Sequence, residues 1–249
     1  MTNATKQVKD LYGRLLQDIR ISVTDRCNFR CTYCMPAEIF GERYQFLPKD
    51  EILTFEEIER LARIFVGLGV SKIRITGGEP LLRANLPTLI RNLSKIEGLE
   101  DLSLTTNGYL LPQMAEELKD SGLNRVTISL DSLDDKVFGE INGRGYGVQK
   151  VLDAIDAAER VGLSPIKINT VVKKGVNDHT LLPLIEHFKG SGQILRLIEY
   201  MDVGTLNGWQ TNEVVPSTEI ISSISDKYEL MPKFKSKESE TADRYLYSD

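Results

Sequence analysis

Lys72-Ile73-Arg74-Ile75-Thr76-Gly77-Gly78-Glu79-Pro80 is the stretch whose reading decides the fold. Successive side chains of a strand point to opposite faces, so Ile73 and Ile75 form an apolar face against Lys72, Arg74 and Thr76. A glycine pair at the end of such a strand lets the backbone approach a ligand closely, although Gly-Gly-Glu-Pro alone is equally a simple turn. The apolar-against-polar pattern recurs in β-rich runs at 18–23, 102–105, 125–130, 166–172 and 195–199. Ile19, Ile21 and Val23 oppose Asp18, Arg20 and Ser22, while Leu102 and Leu104 oppose Ser103 and Thr105. Val126, Ile128 and Leu130 oppose Arg125, Thr127 and Ser129. Ile166 and Ile168 oppose Lys167 and Asn169, and Leu195 and Leu197 oppose Arg196.

Helical patterns separate these runs, at 54–68, 86–95, 111–121, 148–161 and 178–189. Thr54 is the N-cap of the first, and Glu57 completes a capping box. Gly67/Gly69, Gly122 and Gly162 fall where helices end. Strand–helix alternation predicts an α/β fold with parallel strands and right-handed crossovers, and six strands suit a partial (β/α)6 barrel. Helices outside cover the apolar faces, so the polar faces point together into the lumen, unlike the aliphatic layers of an ordinary closed barrel. Buried cations at Arg20, Lys72, Arg74, Lys167 and Arg196 demand counter-charge. A polyanion, most simply a phosphate-rich ligand held by charge-assisted and bidentate contacts, supplies it. The alternative is a two-layer sandwich whose open sheet face is merely solvated. A phosphate loop is absent, because no G-x-x-x-x-G-K-[ST] occurs.

All three cysteines fall in Cys27-Asn28-Phe29-Arg30-Cys31-Thr32-Tyr33-Cys34. The odd count and the length argue against a disulfide framework. Zinc needs a fourth ligand; His179 and His187 lie far down the chain at helical spacing and read as surface residues, which leaves an Asp or Glu. Soft thiolates also suit an iron–sulfur cluster. Cuboidal 4Fe–4S clusters normally take four cysteines, so three leave one iron open, the arrangement of a catalyst rather than an electron carrier.

The spacing C-x3-C-x2-C, with an aromatic before the last cysteine, resembles the signature of the radical S-adenosylmethionine (radical SAM) enzymes. The chain is similar to one branch, the GTP 3′,8-cyclase (MoaA) family of molybdenum cofactor biosynthesis, from about residue 10 to 229. The likeness is carried by Gly13-Arg14, the stretch from Arg20 to Cys31, Lys72 to Leu81, Leu104-Thr105-Thr106-Asn107-Gly108, Ser129-Leu130-Asp131, and Arg196 to Gly204. It implies a radical SAM core over 1–230 and the start of a C-terminal segment over 231–249. It implies a 4Fe–4S cluster on Cys27, Cys31 and Cys34, with S-adenosylmethionine chelating the open iron against Tyr33, Gly78, Ser129 and Met201. Tyr33 would pack near the adenine, and the backbone at Gly78 would hold the methionine amino group. GTP contacts fall on Arg20, Arg74, Thr105 and Lys167, with Lys72 and Arg196 as further triphosphate ligands.

The implied reaction converts GTP to (8S)-3′,8-cyclo-7,8-dihydroguanosine 5′-triphosphate, a lyase reaction and the first step of molybdopterin synthesis. A 5′-deoxyadenosyl radical takes the 3′-hydrogen, and no residue acts as a classical acid or base. The implied partners are a flavodoxin- or ferredoxin-type electron donor and a downstream cyclic pyranopterin monophosphate synthase, and a homodimer is compatible with the family. The chain departs from the family pattern in one respect: no cysteine follows Cys34. The ligands of the family's second cluster, which anchors the guanine, are therefore missing, and the chain reads as truncated, with a strand-like run at 244–247 that lacks a partner. Two rival readings are a radical SAM enzyme acting on a peptide, and a chain that binds S-adenosylmethionine and nucleotide without cyclising GTP.

Composition agrees with a soluble protein: 41% hydrophobic, 27% charged. A net charge of −5 speaks against broad nucleic-acid or membrane-surface binding. No apolar run approaches the ~20 residues that span a bilayer. Residues 1–14 carry neither an apolar signal core nor an Arg-rich transit pattern, so the expected location is the cytoplasm, whose reducing milieu suits thiolates.

Overall fold

The computed structural model describes residues 8–203, 208–234 and 241–248. Gly204 and part of the 231–249 segment lie outside the described residues. Six parallel strands form one sheet in chain order: β1 (Asp18–Ser22), β2 (Lys72–Thr76), β3 (Asp101–Thr106), β4 (Arg125–Ser129), β5 (Lys167–Val172) and β6 (Ile194–Glu199). Helices α1 (Phe55–Gly67), α2 (Leu86–Ser94), α3 (Leu111–Asp120), α5 (Gln149–Arg160) and α6 (Leu181–Phe188) occupy the predicted crossovers. The turn at Asp178–Thr180, read as the start of the last helix, is 3-10.

Apolar burial sets the layering. Ile73, Ile75, Leu102, Leu104, Val126, Ile128 and Ile168 are at most 1% exposed and share one core with the inner faces of α1, α2, α3 and α5. Each such side chain contributes about 1.5–3 kcal/mol when removed from water. The helices that share this core lie on the apolar face, opposite the cationic one, and the sheet curls around the cationic side. Burial lowers the Arg196 pKa most, with repulsion from Arg125 next and Arg20 after it. Arg20 lies on β1 and Arg196 on β6, opposite edges that in a flat sheet would stand roughly 24 Å apart, five gaps of about 4.8 Å. Their interaction requires the edges to face one another. β1 and β6 are not paired, so the barrel is partial, and the flat-sandwich alternative is set aside.

Three elements were not legible in the sequence. α4 (Asp135–Asn142) is a single short amphipathic helix between β4 and α5, with Gly139 in its interior weakening the signal. α7 (Ser217–Ser225) follows β6 and packs Ile220 and Ile224 into a second core with Val172, Leu181, Ile185 and Val215. The run at 244–247 does have a partner, which corrects the sequence expectation: β8 (Arg244–Tyr247) pairs antiparallel with β7 (Leu230–Lys233). β7 contains Pro232, which lacks a ladder donor and disguises a strand unless the strand lies at an edge.

The α1 capping box is formed. Thr54 Oγ1 accepts from the Glu57 N–H at 3.2 Å, and Glu57 Oε2 accepts from the Thr54 N–H at 2.8 Å. Thr54→Ala removes the first of these bonds, and should cost about 0.5–2 kcal/mol. Thermal or urea denaturation should show that loss as a melting temperature lower by roughly 1–8 °C for a domain of this size; an unchanged midpoint would contradict it.

Candidate active site

The strands are parallel, so their C-terminal ends open at one mouth, where active sites of such barrels lie. The cysteine loop leaves β1 there, the Gly77-Gly78 turn leaves β2, and Asn107, Asp131, Asn177 and Met201 follow β3, β4, β5 and β6. Phe29, 3% exposed, anchors the cysteine loop by packing on Tyr109, Phe138 and Tyr146 at ring-centroid distances of 6.1, 6.3 and 5.5 Å. Buried Arg30 donates to the carbonyls of Cys27 and Phe29, both at 2.7 Å, and to that of Phe40 at 2.5 Å. The C-terminus of α4 completes the support: Asn142 O accepts from the Arg30 N–H at 2.8 Å, and Ile141 O from the Thr32 N–H at 3.0 Å.

The glycine pair has a structural cause beyond any ligand. A Cβ on Gly77 would lie 2.6 Å from Thr24 O, and one on Gly78 would collide with Arg26 O. The turn instead donates from the Gly78 N–H to Thr24 O and from the Glu79 N–H to Arg26 O, both at 2.7 Å. Glycine here lets the turn after β2 lie directly on the cysteine loop.

Cys27, Cys31 and Cys34 are all free thiols, the first two half-buried and the third exposed. Burial pushes the Cys27 thiol up to about 11 and holds Cys31 well above the ordinary range, and the three sulfurs lie close enough to feel each other's charge. An uncompensated thiolate is therefore disfavoured in this loop, and a cationic metal centre is what would stabilise it. Cys27 Sγ already accepts from the Phe29 N–H at 3.4 Å and from Asn107 Nδ2 at 3.9 Å. Among the described residues no three His, Cys, Asp or Glu side chains form a single-ion site. His179 and His187 are exposed, as expected. Three soft donors in one loop at the mouth, without a single-ion site, are the donor set that an iron–sulfur cluster would take.

Two buried carboxylates tie the mouth together. Glu79, 1% exposed, accepts from Thr106 Oγ1 at 2.7 Å, the Asn107 N–H at 2.8 Å and the Leu81 N–H at 3.0 Å. Asp131, 3% exposed, accepts from Tyr33 Oη and the Val171 N–H, both at 2.9 Å, and its carbonyl accepts from Asn177 Nδ2 at 2.8 Å. Burial raises both carboxyls to about 6 despite these donors. Tyr33 is thus anchored through its hydroxyl. Ser129 is half-buried and in register with Asn169, while Met201 is 53% exposed beyond β6.

Beneath the mouth, register aligns Arg20 with Arg74, Ser103 and Arg125, Thr105 with Thr127 and Lys167, and Asn169 with Arg196. Lys72, Arg74, Lys167 and Arg196 are half-buried, whereas Arg20, on the edge strand β1, is exposed, contrary to its expected burial; Arg196 on the other edge has β5 beside it and the Arg244 charge nearby. Burial, then repulsion from Arg125, Arg196, Arg74 and Arg244, lowers Lys167 to about 8. Burial and then Arg20, Arg125 and Arg196 depress Arg74. Arg125 and Arg244 are additions to the predicted set. Strand alternation already places Arg125 on this face; β8 brings Arg244 in, which no local signal reveals. Asp101 grips Arg125 bidentately at 2.7 to 3.2 Å. Arg125 Nη1, Arg74 Nε, Thr105 Oγ1, Thr127 Oγ1 and Asn169 Oδ1 are buried without hydrogen-bond partners. Each such group costs about 1–3 kcal/mol if left unsatisfied, so the lumen is built for polar contacts that the folded chain does not itself supply.

The model of the Radical SAM superfamily matches residues 21–188. A GTP 3′,8-cyclase of Staphylococcus haemolyticus (strain JCSC1435) is 49% identical over 243 residues, which cover 98% of this chain and 71% of that protein. One from Staphylococcus aureus (strain Mu3 / ATCC 700698) is 48% identical over 244 residues, covering 98% and 72%. Among solved structures, native anSMEcpe with bound AdoMet has a TM-score of 0.66 at 20% identity, covering 85% of this chain and 60% of that one. Methylornithine synthase (PylB) has a TM-score of 0.64 at 15% identity, covering 84% and 61%. At such identities these two speak for the fold alone. No helix among the described residues is long and apolar enough to cross a membrane. With the superfamily match running from β1 to the end of α6, and about half of all aligned residues shared with curated relatives, this chain belongs to the radical SAM superfamily and, within it, to the GTP 3′,8-cyclase family.

Proposed function

We propose that the chain binds GTP in the cation-lined lumen and acts there as a GTP 3′,8-cyclase, with the radical-generating centre at the mouth directly above. The observation that carries this reading is the set of half-buried cations beside orphaned polar atoms under the cysteine loop. A triphosphate matches it in charge and in hydrogen-bonding capacity. Cys27, Cys31 and Cys34 hold the 4Fe–4S cluster, and Tyr33, Gly78, Ser129 and Met201 line the S-adenosylmethionine site. When bound, cluster and S-adenosylmethionine supply the radical that opens the reaction at the ribose.

The chain's own residues bind and orient. Arg20, Lys72, Arg74, Lys167 and Arg196 neutralise the triphosphate, and Thr105 donates to it from the half-buried wall. Arg125, fixed by Asp101, adds a rigid fork at the same level. Holding the triphosphate in several places restricts the ribose relative to the mouth, which is where orientation lowers the barrier. No acid or base is needed among these side chains for the first step. A flavodoxin- or ferredoxin-type donor supplies the electron, and the cyclised product passes to a cyclic pyranopterin monophosphate synthase. A peptide substrate would leave the lumenal cations without a purpose.

Anaerobic reconstitution with iron and sulfide should load about one 4Fe–4S cluster, hence about four irons, per chain. Its reduced spectrum should change on adding S-adenosylmethionine; stoichiometric zinc with no iron uptake would exclude the reading. Arg74→Ala and Lys167→Ala should each weaken GTP binding by roughly 10- to 150-fold, the loss of a charge-assisted contact of about 1.5–3 kcal/mol. S-adenosylmethionine cleavage should persist in both variants. Unaltered GTP affinity in both would put the nucleotide elsewhere.

Lys167 also predicts a pH dependence. Its free-state value of about 8 means that it loses its charge as pH rises through that point, and a bound polyanion should hold the proton on. GTP affinity should therefore fall above pH 8, with proton uptake on binding. Calorimetry in buffers of different ionisation enthalpy measures that uptake, and Lys167→Met should abolish it. Equal uptake in the variant would assign the proton to another group.

A further inference from the structure

Asn107 is more tightly fixed than a loop residue after a strand needs to be. Its backbone N–H donates to Glu79 Oε2 at 2.8 Å, while Thr106 Oγ1, one residue earlier, donates to Glu79 Oε1 at 2.7 Å. Its side-chain carbonyl accepts from the Tyr109 N–H at 3.1 Å, an Asx-turn. That turn settles the orientation of the amide, because the oxygen must face Tyr109 and the NH2 group must face the other way. The other way is the cysteine loop. One N–H meets Asn28 Oδ1 at 2.8 Å, and the nitrogen lies 3.9 Å from Cys27 Sγ, a length suited to the large sulfur atom. The Phe29 N–H approaches the same sulfur at 3.4 Å.

We propose that Asn107 is a positioning residue that sets the reduction potential of the iron–sulfur cluster by donating an N–H···S hydrogen bond to Cys27. The inference rests on the reading of Cys27 as a cluster ligand. Hydrogen bonds to ligating sulfurs are among the determinants of cluster potential. The physical reason is that the reduced cluster places more negative charge on its sulfurs, so a donor stabilises the reduced form more than the oxidised one. Glu79 sits behind Asn107 as its anchor, so the turn after β2 controls the position of a donor on the loop after β3.

The test is an EPR-monitored redox titration of reconstituted protein without S-adenosylmethionine, with iron content measured first. Asn107→Ser retains an oxygen for the Tyr109 N–H but is too short to reach Cys27. It should hold full iron and show a lower potential, with a reduced fraction about three- to tenfold smaller at a fixed poise; tenfold corresponds to about 59 mV for a one-electron couple. Asn107→Asp, which adds a carboxylate, should shift the potential further in the same direction. Asn28→Ala keeps the donor and should move the potential less than either. Full iron with the parent potential in Asn107→Ser and Asn107→Asp would overturn the proposal. So would loss of iron from both variants, which would make Asn107 a purely structural brace. If the parent protein itself takes up no cluster, the failure lies with the cysteine assignment, and the redox role falls with it.

Discussion

Burial of like charges on the concave face of the sheet, with the repulsion between them, is the constraint to which the rest of the structure answers. Burial is the largest cause lowering the proton affinity of Arg74, Lys167 and Arg196, and repulsion from neighbouring cations, Arg125 among them in each case, adds to it. A folded chain holding such a face open must recover the cost elsewhere. It does so on the convex side, where the aliphatic residues of β2 to β5 are almost entirely removed from water. Among the described residues Asp101 is paired bidentately with Arg125 rather than with the strand-centre cations. Under the proposed function the remaining charge would be met by the ligand, as expected where stability is given up for binding.

The mouth obeys a different constraint, that of steric contact. The cysteine loop is seated by the turn after β2, where a side chain at position 77 or 78 would not fit, and by the last carbonyls of α4. Arg30 closes the loop on itself through three carbonyls, which commits a buried cation to geometry instead of to ligand. Glu79 and Asp131 perform the same service across strands, joining β2 to β3 and β4 to β5. Each carboxylate is buried, and each is satisfied by several donors, which is the condition under which such groups rigidify a site.

What was legible in the sequence follows from range. Strand alternation, the Thr54–Glu57 capping box and the three-cysteine spacing are local patterns, and all six strands and five of the helices emerge from them. The lumenal face was readable because each strand presents it at every second residue. The exposure of Arg20 was not readable, because burial on an edge strand depends on which distant segments pack beside it. α4, α7 and β7 were hidden by shortness, by Gly139 and by Pro232. The Tyr33–Asp131 and Asn107–Cys27 contacts join residues 98 and 80 positions apart, beyond the reach of any periodicity. The family likeness reached Tyr33 but gave no hint that its hydroxyl is already committed to Asp131.

The same strands serve both halves of the site, and this fixes the relation between them. β2 carries Lys72 and Arg74 along its length and delivers the glycine turn at its end; β3 carries Thr105 and then delivers Asn107. A strand rises about 3.3 Å per residue, so the distance from a lumenal cation to the mouth is set by residue count rather than by loop flexibility. Orientation of any group reacting at the mouth requires that kind of tolerance. A loop-built cationic site could match the charge but not the vertical spacing. The parallel barrel achieves the spacing by backbone geometry alone, and leaves the loops at its mouth free to be shaped around the cysteines.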